Sequence, residues 1–276
     1  MKSKRGEEIR VITRLPKKFG YEISFDPSLS AIERWYVRLL GPPILGLRIR
    51  GRYLQPLLET LAFPGGARLA DAGSGRGCFA FLLARLFPQA QVTGMDIEED
   101  QIRRNNRIAE ALGYTNCSFQ KQDVTRLPAS AGYDFILSTD NLEHLENDQK
   151  QCTVFYHALK SDGWILFHVP HVTRNLFGWR RPNFMGIEGH VRPGYTLDGL
   201  CDMLREAGFS IERSFYSYGW LETLVNDISY LITGGREKRR WLYAPVFPIL
   251  LLVSKLGRPP RSQGGSGVVV LARKLN

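Results

Sequence analysis

Residues 69–77 read LADAGSGRG, and residues 78–88 continue as CFAFLLARLFP. An apolar run closes on Asp71, glycines follow at 73, 75 and 77, and apolar residues then recur at helical spacing. This is a buried strand, a tight loop and a helix. A loop so bare lets the backbone approach a ligand closely, and it stands at the positive end of a helix. Taken alone the stretch has a simpler reading, a tight turn in which Asp71 caps the helix, so the surrounding segments have to decide.

From residue 67 onward strand-like and helix-like segments alternate, which predicts a parallel sheet with helices on both faces. The expected strands are 67–72, QVTGMD (91–96), CSFQKQD (117–123), YDFILST (133–139), WILFHVP (164–170), a sixth starting SIERSFYSY at 210, and GVVVLARKL (267–275). Residues 98–113 make a charged amphipathic helix stopped by Gly113, residues 144–163 a second, and residues 196–209 a third with Thr196 as N-cap. Residues 1–66 form a helical cap, with LSAIERWYVRLL and RYLQPLLETLAF its best helices, and residues 67–276 form the α/β domain. Two stretches break the alternation. Residues 171–194 have no clear period and are rich in Arg, Gly, Pro and aromatics, which marks a candidate lid loop. Residues 217–264 are an insertion before the last strand.

With 43% hydrophobic residues the chain has material for a core, which excludes disorder. Its four cysteines are dispersed through apolar segments with no C-x-x-C pair, which fits a reducing, cytoplasmic setting and leaves no metal assigned through them. The net charge of +10 is concentrated at 1–18, at RNLFGWRR (174–181) and at GREKRR (235–240), stretches that suit phosphates of nucleic acid or anionic lipid. No run reaches the ~20 apolar residues a bilayer span requires. The nearest, WLYAPVFPILLLVSKLG (241–257), contains two prolines. Beside its basic flank it suits monotopic contact, with arginines at headgroups and Trp241 and Tyr243 at the boundary. A buried helical hairpin or a dimer interface remains open for the same residues.

The second strand ends in Asp96, 21 residues past Gly75. A glycine loop after the first strand and an acid ending the second describe a nucleoside site, the acid accepting from ribose hydroxyls. The spacing does not fit a dinucleotide, because Cys78 stands where the third fingerprint glycine would pack. Asp71 would also sit poorly against a pyrophosphate; it suits a positively charged group such as an amino-acid ammonium. A nicotinamide oxidoreductase is therefore disfavoured.

LADAGSGRG, GMDIEEDQI, QKQDVTRLP, YDFILSTDNLEHL and ALKSDGWILFHVP follow one another in an order and spacing that resemble the class I S-adenosylmethionine-dependent methyltransferases. The resemblance is dense over 67–170 and includes the ubiquinone-biosynthesis O-methyltransferases and bacterial small-molecule methyltransferases. It implies a Rossmann-like, seven-stranded, mostly parallel sheet whose last strand is antiparallel. It further implies S-adenosylmethionine as cofactor and S-adenosylhomocysteine as product. Asp71, Gly73 and Gly75 would face the methionine part, with Arg50 toward its carboxylate. Asp96 would hold the ribose, Ile97 would lie on the adenine, and Asp123 with Val124 would meet its amino group. Ser138 and Asp140 would line the methyl-donor side.

For the transfer itself, Asp140, Glu143 and His144 fall at i, i+3 and i+4 and would share one face if a helix starts there. His144, Asp140 and His171 are the catalytic candidates, His144 or His171 serving as base or shaping the pocket. The same acid–x–x–Glu–His element resembles one associated with a divalent cation in the ubiquinone-pathway enzymes, yet it is also common without metal, and no metal is assigned. Arg174, Arg181, His190, Arg192 and Tyr195 in the lid loop are candidate substrate contacts, suited to an acidic acceptor. His190 and Tyr195 have a simpler alternative, ordering the entry to the next helix. The expected function is methyl transfer, O-directed, to a small-molecule or lipid-like acceptor at an anionic membrane surface, the protein being peripheral to it. The rivals are an RNA methyltransferase and a non-catalytic, membrane-associated cofactor-binding protein. Against the first, STDN after the fourth strand is not the Asn-Pro-Pro-Tyr type that grips a flipped base.

Overall fold

A computed structural model describes residues 19–176, 179–182, 189–233, 240–260 and 264–275, without the side chains of 175–182 and 240–241. The basic stretch at 1–18 and most of that at 235–240 lie outside the described residues.

Seven strands form one sheet in the order β3-β2-β1-β4-β5-β9-β8. They are β1 (Arg68–Ala72), β2 (Gln91–Asp96), β3 (Cys117–Lys121), β4 (Tyr133–Thr139), β5 (Leu159–Pro170), β8 (Phe209–Ser217) and β9 (Gly267–Lys274). Only β9 runs against its neighbours, pairing antiparallel with both β5 and β8. The expected architecture is the observed one, and GVVVLARKL is the antiparallel strand. The chain moves outward from β1 to β3 and then returns to β4, so the C-terminal ends of β1 and β4 flank the point where strand order reverses. Open α/β sheets bind their ligands there.

Helices α3 (Cys78–Leu86), α4 (Glu99–Ala111), α5 (Asp148–Ala158) and α6 (Leu197–Glu206) join the strands. α3 is buried on nearly every side and seals one face of the sheet together with Leu54, Leu57 and Leu58 of α2 (Leu45–Leu58). Thr196 caps α6 through the Gly199 N–H at 3.0 Å, as its sequence suggests. α1 (Ala31–Leu40) begins with a capping box in which Ser30 and Glu33 satisfy each other's backbone N–H.

Three local features differ from expectation. No helix starts at Asp140: Leu142–His144 is a single 3-10 turn, and α5 begins at Asp148, with the Asn147 side chain capping the Lys150 N–H. Asp140 has φ of 45°, a left-handed conformation costly for a residue with a Cβ, and it breaks the chain direction before a helix can form. Asp140, Glu143 and His144 are thus gathered by a turn and not by a helical face. The aperiodic stretch 171–194 contains a two-stranded ribbon, β6 (Thr173–Leu176) and β7 (Trp179–Pro182). The insertion folds as two helices, α7 (Trp220–Thr233) and α8 (Arg240–Ser254), packed on α2 through a cluster that includes Ile49, Tyr53, Val225, Tyr243 and Phe247. Tyr243 is buried there and does not stand at a boundary.

This hairpin is fastened by charge as well. Arg52 and Glu222, both fully buried, approach to 3.0 Å; Arg52 also donates to the Ser254 carbonyl at 2.7 Å, and Glu222 accepts from the Gly219 N–H at 2.9 Å and from the Tyr53 hydroxyl. A buried pair fastened by these bonds fixes one arrangement of α2 against the insertion, although Arg52 Nε and Nη2 have no hydrogen-bond partner among the described residues.

Candidate functional site

Parallel register brings the ends of four strands level. Ala72 pairs with Met95 on one side and Ser138 on the other, and Thr139 pairs with His168. Asp71, Asp96, Ser138 and Asp140 are consequently neighbours along one sheet edge.

At its centre Asp71 is almost fully buried, and neither carboxylate oxygen has a hydrogen-bond partner among the described residues. Burial pushes this carboxyl up to about 7; the Ala80 N–H draws it the other way without reaching hydrogen-bond geometry, and the charge of Asp96 adds to the rise. An orphaned carboxylate beneath a ligand loop asks for a cation. Gly73 and Gly75 both have positive φ, 81° and 46°, which glycine adopts without strain. A Cβ at Gly73 would lie 2.8 Å from Asn141, whereas one at Gly75 would point into open space. Asp96 is held by two backbone donors, Gly75 N–H at 2.8 Å and Glu98 N–H at 3.0 Å, which orient its remaining lone pairs. Beside it Ile97 is bare, 63% exposed with no packing role. Asp123 closes a turn on Thr125, accepting its N–H at 2.9 Å and its hydroxyl at 2.6 Å, and these bonds hold its pKa below the usual carboxylate range. The Val124 carbonyl accepts from Gln151 at 2.9 Å, and the buried Ser138 hydroxyl has no partner among the described residues. A buried anion, an oriented acid, an exposed apolar face and an open glycine backbone fit an amino-acid nucleoside such as S-adenosylmethionine.

Next to this edge is a polar cavity of about 250 Å³, lined by residues of α2, the β4 and β5 ends, the returning lid segment and α7. Asp140, His144, Arg50, Arg174 and His190 all line it. His171 does not: its Nδ1 faces the Thr173 carbonyl at 2.9 Å and its ring packs edge-on against Tyr216. Arg192 is spent on Asp148 and on the carbonyls of Leu145 and Glu146, and the Tyr195 hydroxyl bonds Leu142 O at 3.1 Å and Asp148 at 3.0 Å. Both fasten this segment to Leu142–Asp148, the stretch between β4 and the start of α5. Arg174 is paired with Asp227. Arg181 stands opposite Arg174 in the ribbon, and its side chain lies outside the described residues.

Arg50 reaches Asp140, and the other carboxylate oxygen of Asp140 meets His168 Nδ1 at 2.8 Å. Although burial opposes the charge of the half-buried Asp140, Arg50 and His168 hold its pKa down to about 2. It is a fixed anion and a poor proton acceptor. Because a carboxylate only accepts, His168 Nδ1 carries a proton toward Asp140, and its Nε2 lies 2.9 Å from the Ser217 hydroxyl. His168 lies mid-strand in ILFHVP, where alternation marks it as one more buried residue, so nothing local in the sequence signals it. Tyr218, Asn226 and Asp227 line the cavity from the insertion and carry no motif either.

Glu143 is fully buried, neither oxygen has a hydrogen bond among the described residues, His190 Nε2 stands 3.9 Å from one of them, and burial followed by the charge of Asp140 raises its pKa well above normal. His144 Nδ1 lies 2.9 Å from the Gly189 carbonyl, which can only accept, so Nδ1 carries the proton and Nε2 keeps its lone pair. His190 stands edge-on to His144 with ring centroids 4.6 Å apart. Burial first, then His144, lower its pKa and favour the neutral imidazole. Glu143, His144 and His190 each offer one ligand atom within 4.8 Å of the others, a set from which Asp140 is absent because Arg50 and His168 occupy it.

An α/β sheet whose reversal point holds an acid, an open glycine loop and a second acid defines a nucleoside-cofactor domain. Residues 65–185 match a family model described as a methyltransferase domain. The chain is 29% identical over 192 residues to a malonyl-[acyl-carrier protein] O-methyltransferase of Laribacter hongkongensis (strain HLHK9), a match covering 62% of this chain and 63% of that protein. It is 32% identical to an S-adenosyl-L-methionine-dependent Diels-Alderase, iccD, of Talaromyces variabilis, over 41% of this chain and 39% of that one. Among solved structures the [4+2]-cyclase SpnF superposes with a TM-score of 0.59 at 19% identity, covering 83% of this chain and 82% of that chain. Residues 65–185 thus carry a methyltransferase domain, and the chain is similar to class I S-adenosylmethionine-dependent methyltransferases, whose curated members it matches over less than two thirds of their length.

Proposed function

We propose that this protein transfers a methyl group from S-adenosylmethionine to an oxygen atom of a small-molecule or lipid-like acceptor held in the polar cavity. The observation that carries this is the buried, partnerless carboxylate of Asp71 beneath the open backbone of Gly75. Asp71 pairs with the ammonium of the cofactor, Asp96 accepts from its ribose hydroxyls, Ile97 covers the adenine, and Asp123 with Val124 borders the adenine edge. When bound, the sulfonium supplies an activated methyl group. The remaining work is alignment and proton handling by the chain's own residues.

His144 Nε2, the lone pair left by its tautomer, takes the proton of the acceptor hydroxyl. His190, neutral and adjacent, is the second group of that size facing the same space. Glu143, buried with its pKa raised and lining the same cavity, faces the acceptor as a hydrogen-bonding group. Arg50 and Arg174 have their charges matched by Asp140 and Asp227, so the cavity suits a polar, uncharged head better than a multiply charged one. The O-methyltransferase relative supports the direction of transfer; the cyclase relatives are a reminder that the fold does not dictate the chemistry.

Membrane contact belongs to the same proposal. Ile32, Trp35 and Leu39 on α1 are exposed at i, i+3 and i+7, as are Ile249, Leu252 and Leu256 on and just after α8. The two helices touch, Tyr36 donating to the Ala244 carbonyl at 2.6 Å. Such stripes suit shallow insertion at an interface. Among the described residues no helix is long and apolar enough to cross a membrane.

Calorimetric titration with S-adenosylhomocysteine beside NADH tests the cofactor assignment. Micromolar-range binding of the former alone is expected; binding of NADH, or of neither, removes it. Transfer of labelled methyl to hydroxylated lipid extracts then separates a methyltransferase from a protein that only holds the cofactor.

A further inference from the structure

A second cavity, of about 360 Å³, lies between α1, α7 and α8. Ile32, Tyr36 and Val37 line one side of it, and Tyr230, Tyr243 and Ala244 the other. Its walls ask for no polar ligand. The Tyr36 hydroxyl is used on the Ala244 carbonyl, and the Tyr243 hydroxyl accepts from Ser229 at 2.7 Å. Its charged lining residues are engaged too: Glu33 in the capping box of α1, Arg50 with Asp140, and Arg76 with a partner of its own.

The groove adjoins the polar cavity. Gly46, Arg50, Asn226 and Tyr230 line both. At the boundary, a Cβ on Gly46 would stand 3.0 Å from the Asn226 side-chain oxygen and 3.3 Å from the Arg50 guanidinium, so only the side chains of Asn226, Arg50 and Tyr230 and the bare backbone of Gly46 divide the two spaces. A polar chamber holding a base and an apolar groove beside it are complementary to one molecule with two ends.

We infer that the acceptor is a single-tailed amphiphile, its oxygen-bearing head in the polar cavity and its unbranched apolar tail in the groove between α1 and the α7–α8 hairpin. The groove volume, about 360 Å³, is near the lower end of the ~300–1,000 Å³ typical of small-molecule sites, which suits a narrow ligand. Ile32, 80% exposed and also lining the groove, lets the far end of the tail reach the surface on which the exposed stripe of α1 lies. The chemistry at the head rests on the methyltransferase reading; the tail subsite does not.

The test is a chain-length series of n-alkyl gallates, ethyl to dodecyl, titrated by calorimetry into the full chain with and without S-adenosylhomocysteine. Affinity should rise about fourfold per added methylene and then level off once the groove is full. In Ala244→Phe, which fills part of the groove, the levelling should come at a shorter tail. An affinity independent of tail length overturns the inference. So does a rise that continues without levelling and is identical in the variant, since that is partition onto the surface. If the variant does not fold, the series on the unaltered protein decides by itself. A length dependence that holds while S-adenosylhomocysteine fails to bind leaves the tail subsite standing and removes the methyltransferase reading.

Discussion

Asp71→Asn should make the ligand-free protein more stable at neutral and alkaline pH while abolishing cofactor binding. In the folded chain the Asp71 carboxyl is raised from 3.8 to about 7 because it is buried without a partner. A group raised in this way contributes stability that is complete below its unfolded value and is lost as pH rises through its folded one. The window therefore runs from about pH 4 to about pH 7. At roughly 1.4 kcal/mol per decade of proton concentration, moving from 3.8 to about 7 amounts to about 4 kcal/mol. Asparagine is nearly isosteric with the protonated acid and cannot ionise, so the variant should match the parent near pH 4 and exceed it by up to about 4 kcal/mol near pH 8. Urea denaturation of both proteins at pH 4, 6 and 8 measures the difference directly, and the comparison cancels every other titrating group. Parallel stability profiles would refute the reasoning, because they would mean the carboxylate has a partner or is hydrated. A complementary sign comes from binding. If the cofactor ammonium pairs with Asp71, S-adenosylhomocysteine titrated at pH 6 in buffers of different ionisation enthalpy should release a proton, and the release should fade at pH 8, where the carboxyl is already ionised.

Other expectations follow from the same geometry. Arg52→Ala, or Glu222→Gln, leaves a partner of the buried pair unmatched and should cost about 3–5 kcal/mol of stability in denaturant melts; a loss below 1 kcal/mol would mean the pair is hydrated. His144→Ala should lower turnover by ~10²–10⁴-fold while S-adenosylhomocysteine affinity stays within about twofold, and an unaltered rate retires it as the base. Asp96→Ala removes the acceptor that orients the Gly75 N–H and should weaken S-adenosylhomocysteine at least tenfold, about 1.4 kcal/mol; undiminished affinity would withdraw the ribose assignment. Trp35→Ser combined with Leu252→Ser should reduce sedimentation with vesicles of phosphatidylglycerol and phosphatidylethanolamine, and equal retention would place membrane contact elsewhere or nowhere.

Most of the nucleoside edge is legible residue by residue. Asp71, Gly73, Gly75, Asp96 and Asp123 sit at strand ends in a chain whose alternation is regular, so their spacing along the sequence translates directly into positions along the sheet. Within 30 residues of one another, a strand, a loop and a helix have few ways to pack. The acceptor side is less legible. Asp140, Glu143 and His144 look like a helical face, and a single left-handed residue turns them into a 3-10 corner instead. Arg192 and Tyr195 look like substrate contacts and are consumed in fastening the lid segment to Asp148. Whether a polar side chain is available or spent depends on its nearest neighbours in space, and those neighbours are 47 positions distant in sequence.

By itself, then, the sequence determined the sheet, its antiparallel last strand and the acid–glycine edge, because these follow from hydrophobic period, turn chemistry and the handedness of strand–helix–strand connections, all of them short-range. Only the tertiary structure decided that His168 and Ser217 complete the surroundings of Asp140, that His171 faces away, and that the insertion builds a groove against α1 and α2. Those outcomes depend on long-range packing of the α7–α8 hairpin, locked by Arg52 and Glu222 across 170 residues of chain, and no periodicity carries information over that distance.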